Sequence, residues 1–246
     1  MDGILLVDKP GGMTSHDVVD CIRRRFRIRK VGHGGTLDPQ ATGLLIILVG
    51  RGTKIASQFM SADKTYEGRM RLGVATDSHD AQGKVVQETE CSHIGREQLE
   101  LEMAKFRGDL LQKPPMVSAV KKDGVPLYKL ARKGQEVERE PKLIHVYEFA
   151  LREVELPRAS FRLRCTKGTY VRTICHDVGQ GLGCGAHLEQ LRRTQCGGFR
   201  VEEAIGLEKI MGMTEAQLRQ AVVPLAKAAA AHVRDLPRPA SAATHG

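Results

Sequence analysis

Apolar residues in this chain fall into short continuous runs and a few alternating stretches, divided by glycine, proline and clusters of charge. Residues 44–49 are all apolar and follow Gly43. A half-buried strand would alternate, so this run predicts a strand buried on both faces. Residues 3–7 predict a shorter buried strand ending at the turn Asp8-Lys9-Pro10-Gly11-Gly12. Val18, Val19, Ile22 and Phe26 then share one helical face, with Thr14 or Ser15 as cap and Asp17 in the first turn, where the helix dipole favours an anion. Residues 53–60 predict a short helix. Residues 64–74 alternate as one strand with Tyr66, Gly68, Met70 and Leu72 on one side, and residues 96–106 predict an amphipathic helix.

Further along, 143–156 and 160–166 read as an antiparallel pair. Arg162 and Arg164 lie on one face, and Phe161, Leu163 and Cys165 on the other. The turn Lys167-Gly168-Thr169 starts a helix through Tyr170, Ile174 and Val178; 188–195 predicts another strand and Gly197-Gly198-Phe199 a turn. Beyond Thr214 one last helix is expected to run through 226–231 into a Pro- and Ala-rich tail, disordered from about Arg234. Between 113 and 142 the pattern breaks. Pro114, Pro115, Gly124, Pro126 and Gly134 punctuate a strand-like 116–121 and a short helix at 127–132, and 121–142 holds seven Lys and Arg against four acids.

The 246 residues suffice for one large domain or two ordinary ones. No apolar run reaches the length of a membrane span, and no charged leader precedes Ile4, so the expected address is the cytoplasm. A net charge of +9 points to a polyanionic partner. Aromatic content is 4% with no Trp, so any base stacking rests on a few particular residues. The six cysteines form no C-x-x-C pair, and Cys175, His176, Cys184 and His187 fit no usual zinc spacing. The polar loop 75–83 lacks the pattern of a calcium loop, and no nucleotide-binding glycine motif occurs. Neither metal nor cofactor is expected.

Candidate chemistry gathers in Gly32-His33-Gly34-Gly35-Thr36-Leu37-Asp38-Pro39-Gln40-Ala41-Thr42-Gly43, a Gly-rich loop with one carboxylate that leads into the buried strand. Asp38 stands on a stiff turn: Pro39 fixes the backbone and the glycines allow close approach. From the residues alone, Asp38 either caps backbone amides or does chemistry. Two further alternatives stay open. Tyr66 is a core residue or a stacking surface, and the arginines ending the first helix are a solvated face or a phosphate-contacting patch.

That stretch resembles the catalytic motif of the TruB family of tRNA pseudouridine synthases. Lys9-Pro10-Gly11-Gly12-Met13-Thr14-Ser15 is similar to the family's first motif. Residues 61–66, 167–173 and 183–188 leading to Leu191-Arg192-Arg193 resemble three more, in the family's order. Gly34 stands where the motif has Thr, a departure expected to loosen the loop. The resemblance implies an α+β fold with a central mixed, mostly antiparallel sheet flanked by helices and a thumb-like insertion at about 113–142. It implies a catalytic domain over 1–213, a helical segment over 214–233 and a tail from 234, with no full C-terminal RNA-binding module.

It further implies cofactor-free isomerisation of uridine 55 in the T loop of tRNA, by a monomer needing no protein partner. Asp38 is the implied catalytic residue. His33 holds the flipped RNA loop, Tyr66 stacks on the base, Tyr170 and Leu191 line the pocket, and Arg172, positioned by Asp80, faces the carboxylate. Lys9 and the arginines ending the first helix meet the RNA backbone. A non-catalytic RNA-binding or RNA-folding protein would not need Asp38. A guide-dependent ribonucleoprotein subunit would lack the thumb and carry a C-terminal RNA-binding module. A membrane-surface protein would gather its basic residues on one amphipathic helix.

Overall fold

A computed structural model describes residues 1–116, 118, 121, 122, 124–126 and 137–234. In chain order the strands and helices are β1 (Gly3–Lys9), α1 (Ser15–Arg25), β2 (Val31–His33), β3 (Thr42–Val49), α2 (Ala56–Ser61), β4 (Lys64–Leu72), β5 (Val74–Thr76), β6 (Val85–Glu88), α3 (Arg96–Ala104) and β7 (Gly108–Gln112). The two-residue strands β8 (Lys121–Lys122) and β9 (Val125–Pro126) follow, then β10 (Lys142–Glu155), β11 (Arg158–Cys165), α4 (Val171–Gly181) and β12 (Ala186–Cys196). The chain continues through β13 (Phe199–Arg200), β14 (Ile205–Gly206), α5 (Leu207–Met211), α6 (Glu215–Ala221), β15 (Val223–Pro224) and α7 (Leu225–Arg234). The class is α+β with a mostly antiparallel sheet and helices beside it, as the resemblance implied.

Two compact units divide the chain. The first comprises Met1–Pro39, Gly43–Asp63 and the chain from Gln195, and the second Gln40–Thr42 with Lys64–Thr194. In the first, β1 and β3 pair antiparallel from Gly3↔Val49 to Lys9↔Gly43. β2 lines the other edge of β3, while β14 (parallel) and β15 (antiparallel) flank β1. Residues 44–49 are all buried, as their unbroken apolar run required. One core holds Ile4, Leu6, Leu44, Ile46, Leu48, Phe59, Phe199 and Ala228.

In the second unit β4, β11, β10 and β7 form an antiparallel series. The predicted face of β4 is buried at Tyr66, Met70 and Leu72, and Gly68 makes room for the ring of Phe161, whose Cζ lies 2.3 Å from where a Cβ would stand. Phe161 meets Phe149 edge-on at 5.4 Å. α3 buries Leu99 and Met103 beside β10, and α4 buries Val171, Ile174, Cys175 and Val178.

Several expected elements came out divided. The strand expected over 64–74 breaks at Gly73, whose φ of 82° lies in the left-handed region open to glycine. The helix expected over 53–60 is a 3₁₀ segment, Gly50–Ile55, followed by α2. The single last helix is two, α6 and α7. Pro224 cannot donate a backbone hydrogen bond and biases Val223 toward extended backbone, so the chain leaves the helix and pairs Val223 with Ile4. The helix at 127–132, half of the strand at 116–121 and the tail from 235 lie outside the described residues, so the thumb-like insertion is only partly described. Among the described residues no helix is long and apolar enough to cross a membrane.

Burial also has an electrostatic consequence for stability. On α4, desolvation raises the Asp177 carboxyl from 3.8 to about 6. The native state thus binds this proton more tightly than the unfolded chain. Stability falls as pH rises from about 4 to about 6, and the loss persists above that range. Asp177→Asn is expected to raise the melting temperature near neutral pH and to leave it unchanged in strong acid. Equal shifts at both ends of a calorimetric pH series would contradict this.

Candidate active site

In the first unit the loop bearing Asp38 is fixed through its backbone on both sides of the carboxylate. Leu37 is 3% exposed, a buried anchor immediately before Asp38. Ser15 takes up both polar groups of Leu37: its Oγ accepts from the Leu37 amide at 2.8 Å and lies 3.2 Å from the Leu37 carbonyl. Ser15 is available because Thr14 is the helix cap. Thr14 accepts from the Asp17 amide while Asp17 accepts from Thr14, a capping box that leaves Ser15 turned inward and buried.

On the far side of Asp38, the Pro39 carbonyl accepts from the Gly12 amide at 2.9 Å and from Lys9 Nζ at 3.0 Å. Lys9 is fully buried, and its ammonium also donates to the carbonyls of Pro10 and Met13. A buried cation needs such partners. Its visible work is to tie the Lys9–Met13 turn to Pro39 and so to brace the loop. Asp38 itself is half-buried.

Two other loop residues are settled by packing. His33 ends β2, paired with Ile47, and its Nδ1 accepts from the Gly35 amide at 3.4 Å. Gly34 is buried, and a Cβ there would lie 2.6 Å from Phe59 Cβ. With its amide donating to the Ile46 carbonyl at 2.8 Å, this glycine packs against Phe59, so the expected loosening is replaced by a close fit.

In the second unit a set of candidate residues assembles around the start of α4. Arg172 is 3% exposed and reaches Asp80 through Nη1–Oδ2 at 3.3 Å. Asp80 Oδ1 is occupied within its own loop by Ser78 Oγ at 2.6 Å and the Gln82 amide at 3.0 Å. Oδ2 is the oxygen turned to the guanidinium. The Arg172 guanidinium lies 5.7 Å from the ring centre of Tyr170. Tyr170, N-terminal cap of α4, is held by Gln112, which accepts from its amide at 2.8 Å and donates to its carbonyl at 3.1 Å.

Leu191 is half-buried on β12, with its carbonyl 3.5 Å from Thr42 Oγ1. Tyr66 is 8% exposed, opposite Leu163. Lys9, His33 and Asp38 lie in the first unit, and Tyr66, Asp80, Tyr170, Arg172 and Leu191 in the second. Ser15 and Gln112 were missed by sequence reasoning. Each is a buried polar residue paired with backbone, and only a resolved choice of cap at Thr14 could have singled out Ser15. Among the described residues no group of three His, Cys, Asp or Glu side chains is placed to hold a metal ion.

A family profile described as TruB family pseudouridylate synthase (N terminal domain) matches residues 23–171, and one described as tRNA pseudouridylate synthase B C-terminal domain matches 172–230. The chain belongs to the TruB family of tRNA pseudouridine synthases. It is 52% identical to tRNA pseudouridine synthase B of Opitutus terrae, over 93% of this chain and 95% of that one. It is 49% identical to the protein of the same name from Syntrophotalea carbinolica, over 93% and 74%. Among solved structures, a chain of a Cbf5–Nop10–Gar1 complex superposes with a TM-score of 0.74 at 30% identity, covering 94% of this chain and 62% of that one.

Ser15→Ala is expected to strand the Leu37 amide and cost about 1–3 kcal/mol of stability, the range for a buried donor left without its acceptor. It should also slow turnover. A urea midpoint equal to that of the wild type would contradict the clamp.

Proposed function

We propose that this chain isomerises uridine 55 in the T loop of tRNA, with Asp38 as the essential carboxylate. The observation that supports it best is the double anchoring of the Asp38 turn, through Leu37 and Pro39, in a member of a tRNA pseudouridine synthase family. The reaction breaks N1–C1′, turns the uracil and joins C5 to C1′; C5 gives up its proton and the freed N1 takes one up. Atoms and oxidation state balance within the substrate, so no co-reactant is called for. One ionised carboxylate can act as nucleophile or as base. For Asp38 that means attack at C1′, addition to C6 or removal of the C2′ proton.

The uridine must leave its stack to be reached, which costs a few kcal/mol. In this reading His33 steadies the opened loop, Tyr66 stacks on the base, and Tyr170 and Leu191 line the pocket. Arg172, oriented by Asp80, supplies positive charge toward the reacting groups. Lys9, expected from the resemblance to meet the RNA backbone, is buried with its ammonium on three carbonyls and acts by bracing the loop from within. Of the basic cluster at the end of α1 and just beyond it, Arg25 donates to the carbonyls of Met211 and Met213, whereas Arg27, Arg29 and Lys30 are exposed and suit phosphates. The chain acts alone on tRNA in the cytoplasm. The guided-complex alternative has less support, because its solved relatives are more distant in sequence than the tRNA synthases.

Asp38→Asn keeps the shape of the side chain and removes its charge. Turnover of a T-loop uridine is expected to vanish while tRNA binding stays within about twofold, the signature of a group used only in the chemical step. Measurable pseudouridine formation by the purified variant would overturn the assignment.

A further inference from the structure

Asp80 reaches Arg172 from a loop, residues 77–83, that has little regular structure of its own. The loop is tied to β12, where the Leu188 amide donates to the His79 carbonyl at 3.0 Å and the Ala81 amide to the Leu188 carbonyl at 3.1 Å. His79, which bears the first of those ties, has a φ of 65°. A non-glycine residue there is strained, a cost that glycine would avoid and asparagine would reduce.

What the histidine brings is its ring. It stacks on His176 with centres 3.9 Å apart and planes within 6°. Its Nδ1 lies 3.4 Å from Thr173 Oγ1. Arg172, Thr173 and His176 all belong to the first turns of α4, so one stretch of helix meets His79 twice and Asp80 once.

We propose that the stacked His79–His176 pair is a positioning device that locks the 77–83 loop onto α4 and so fixes the Asp80–Arg172 ion pair. The proposal rests on the reading of Arg172 as a substrate-site residue.

The stack requires uncharged rings, since two imidazolium ions face to face would repel each other. The surroundings keep them so. Burial, the His176 ring and Arg172 push His79 down to about 4 against the opposing pull of Asp80, and Arg139 adds to the downward push. Burial also lowers His176, whose Nδ1 has no hydrogen-bond partner among the described residues. The lock therefore persists through the neutral range, and acid releases it.

The test uses full-length His176→Ala, His176→Phe and His79→Asn beside the wild type, all on the same tRNA. Phe keeps a planar ring for stacking, and Asn tolerates the left-handed backbone but cannot stack. His176→Ala and His79→Asn are expected to lose about tenfold in kcat with KM within about twofold, whereas His176→Phe stays near the wild type. The NMR signal of the Arg172 Nε–H should move in the first two variants and hold in His176→Phe.

Wild-type kcat in His176→Ala and His79→Asn, or a loss in His176→Phe as large as in His176→Ala, would overturn the proposal. Should the wild type fail to isomerise tRNA uridine, the functional reading falls. The Arg172 signal then still decides the lock: unmoved in His176→Ala, it refutes it.

Discussion

A reactive carboxylate on a loop is only as well placed as the backbone on either side of it. Here that backbone is held from one source, the turn and helix that follow β1. Ser15 takes the amide and carbonyl of Leu37, and Lys9 and Gly12 take the carbonyl of Pro39. Because β1 is itself paired along β3, the clamp and the loop it grips rest on neighbouring strands. The burial of Lys9 follows from this arrangement. Three carbonyls offset the desolvation of its ammonium, which in return cross-links two turns at a point the sheet alone does not reach.

The second unit solves the same problem with charge. Arg172 is almost wholly buried, so its guanidinium needs an acceptor that cannot swing away. Asp80 is such an acceptor because Ser78 and the Gln82 amide hold one of its oxygens. Gln112 performs for Tyr170 what Ser15 performs for Leu37, a side chain pairing with a backbone as a strand would. In both units, a buried polar side chain holds the backbone of a candidate site residue or of its neighbour.

Much of the frame was legible in the sequence because it obeys simple periods. The unbroken apolar run at 44–49, the alternation that buries Tyr66, Met70 and Leu72, and the helical face of Val18, Val19 and Ile22 each gave the right element. Boundaries failed where single residues interrupt a good pattern: Gly73 in a strand, Pro224 between helices. The divided C-terminal helix shows why, since pairing of Val223 with Ile4 is a long-range contact that no local period announces. The family motifs pointed to Asp38. They could not show that Gly34 fits against Phe59, or that Ser15 rather than Thr14 faces inward, because both depend on what lies opposite in space.

The central claim is that Asp38 works because its carboxylate is held at one place. Asp38→Glu keeps the charge and shifts it by about one methylene, so it separates position from charge. Single-turnover release of the C5 hydrogen as tritium, from tRNA labelled in its T-loop uridine, reads the chemical step directly. A displacement of that size is expected to slow release by about a hundredfold or more with tRNA affinity unchanged. Release within about fivefold of the wild-type rate would mean that any nearby carboxylate suffices, and that the clamp on Leu37 and Pro39 serves stability alone.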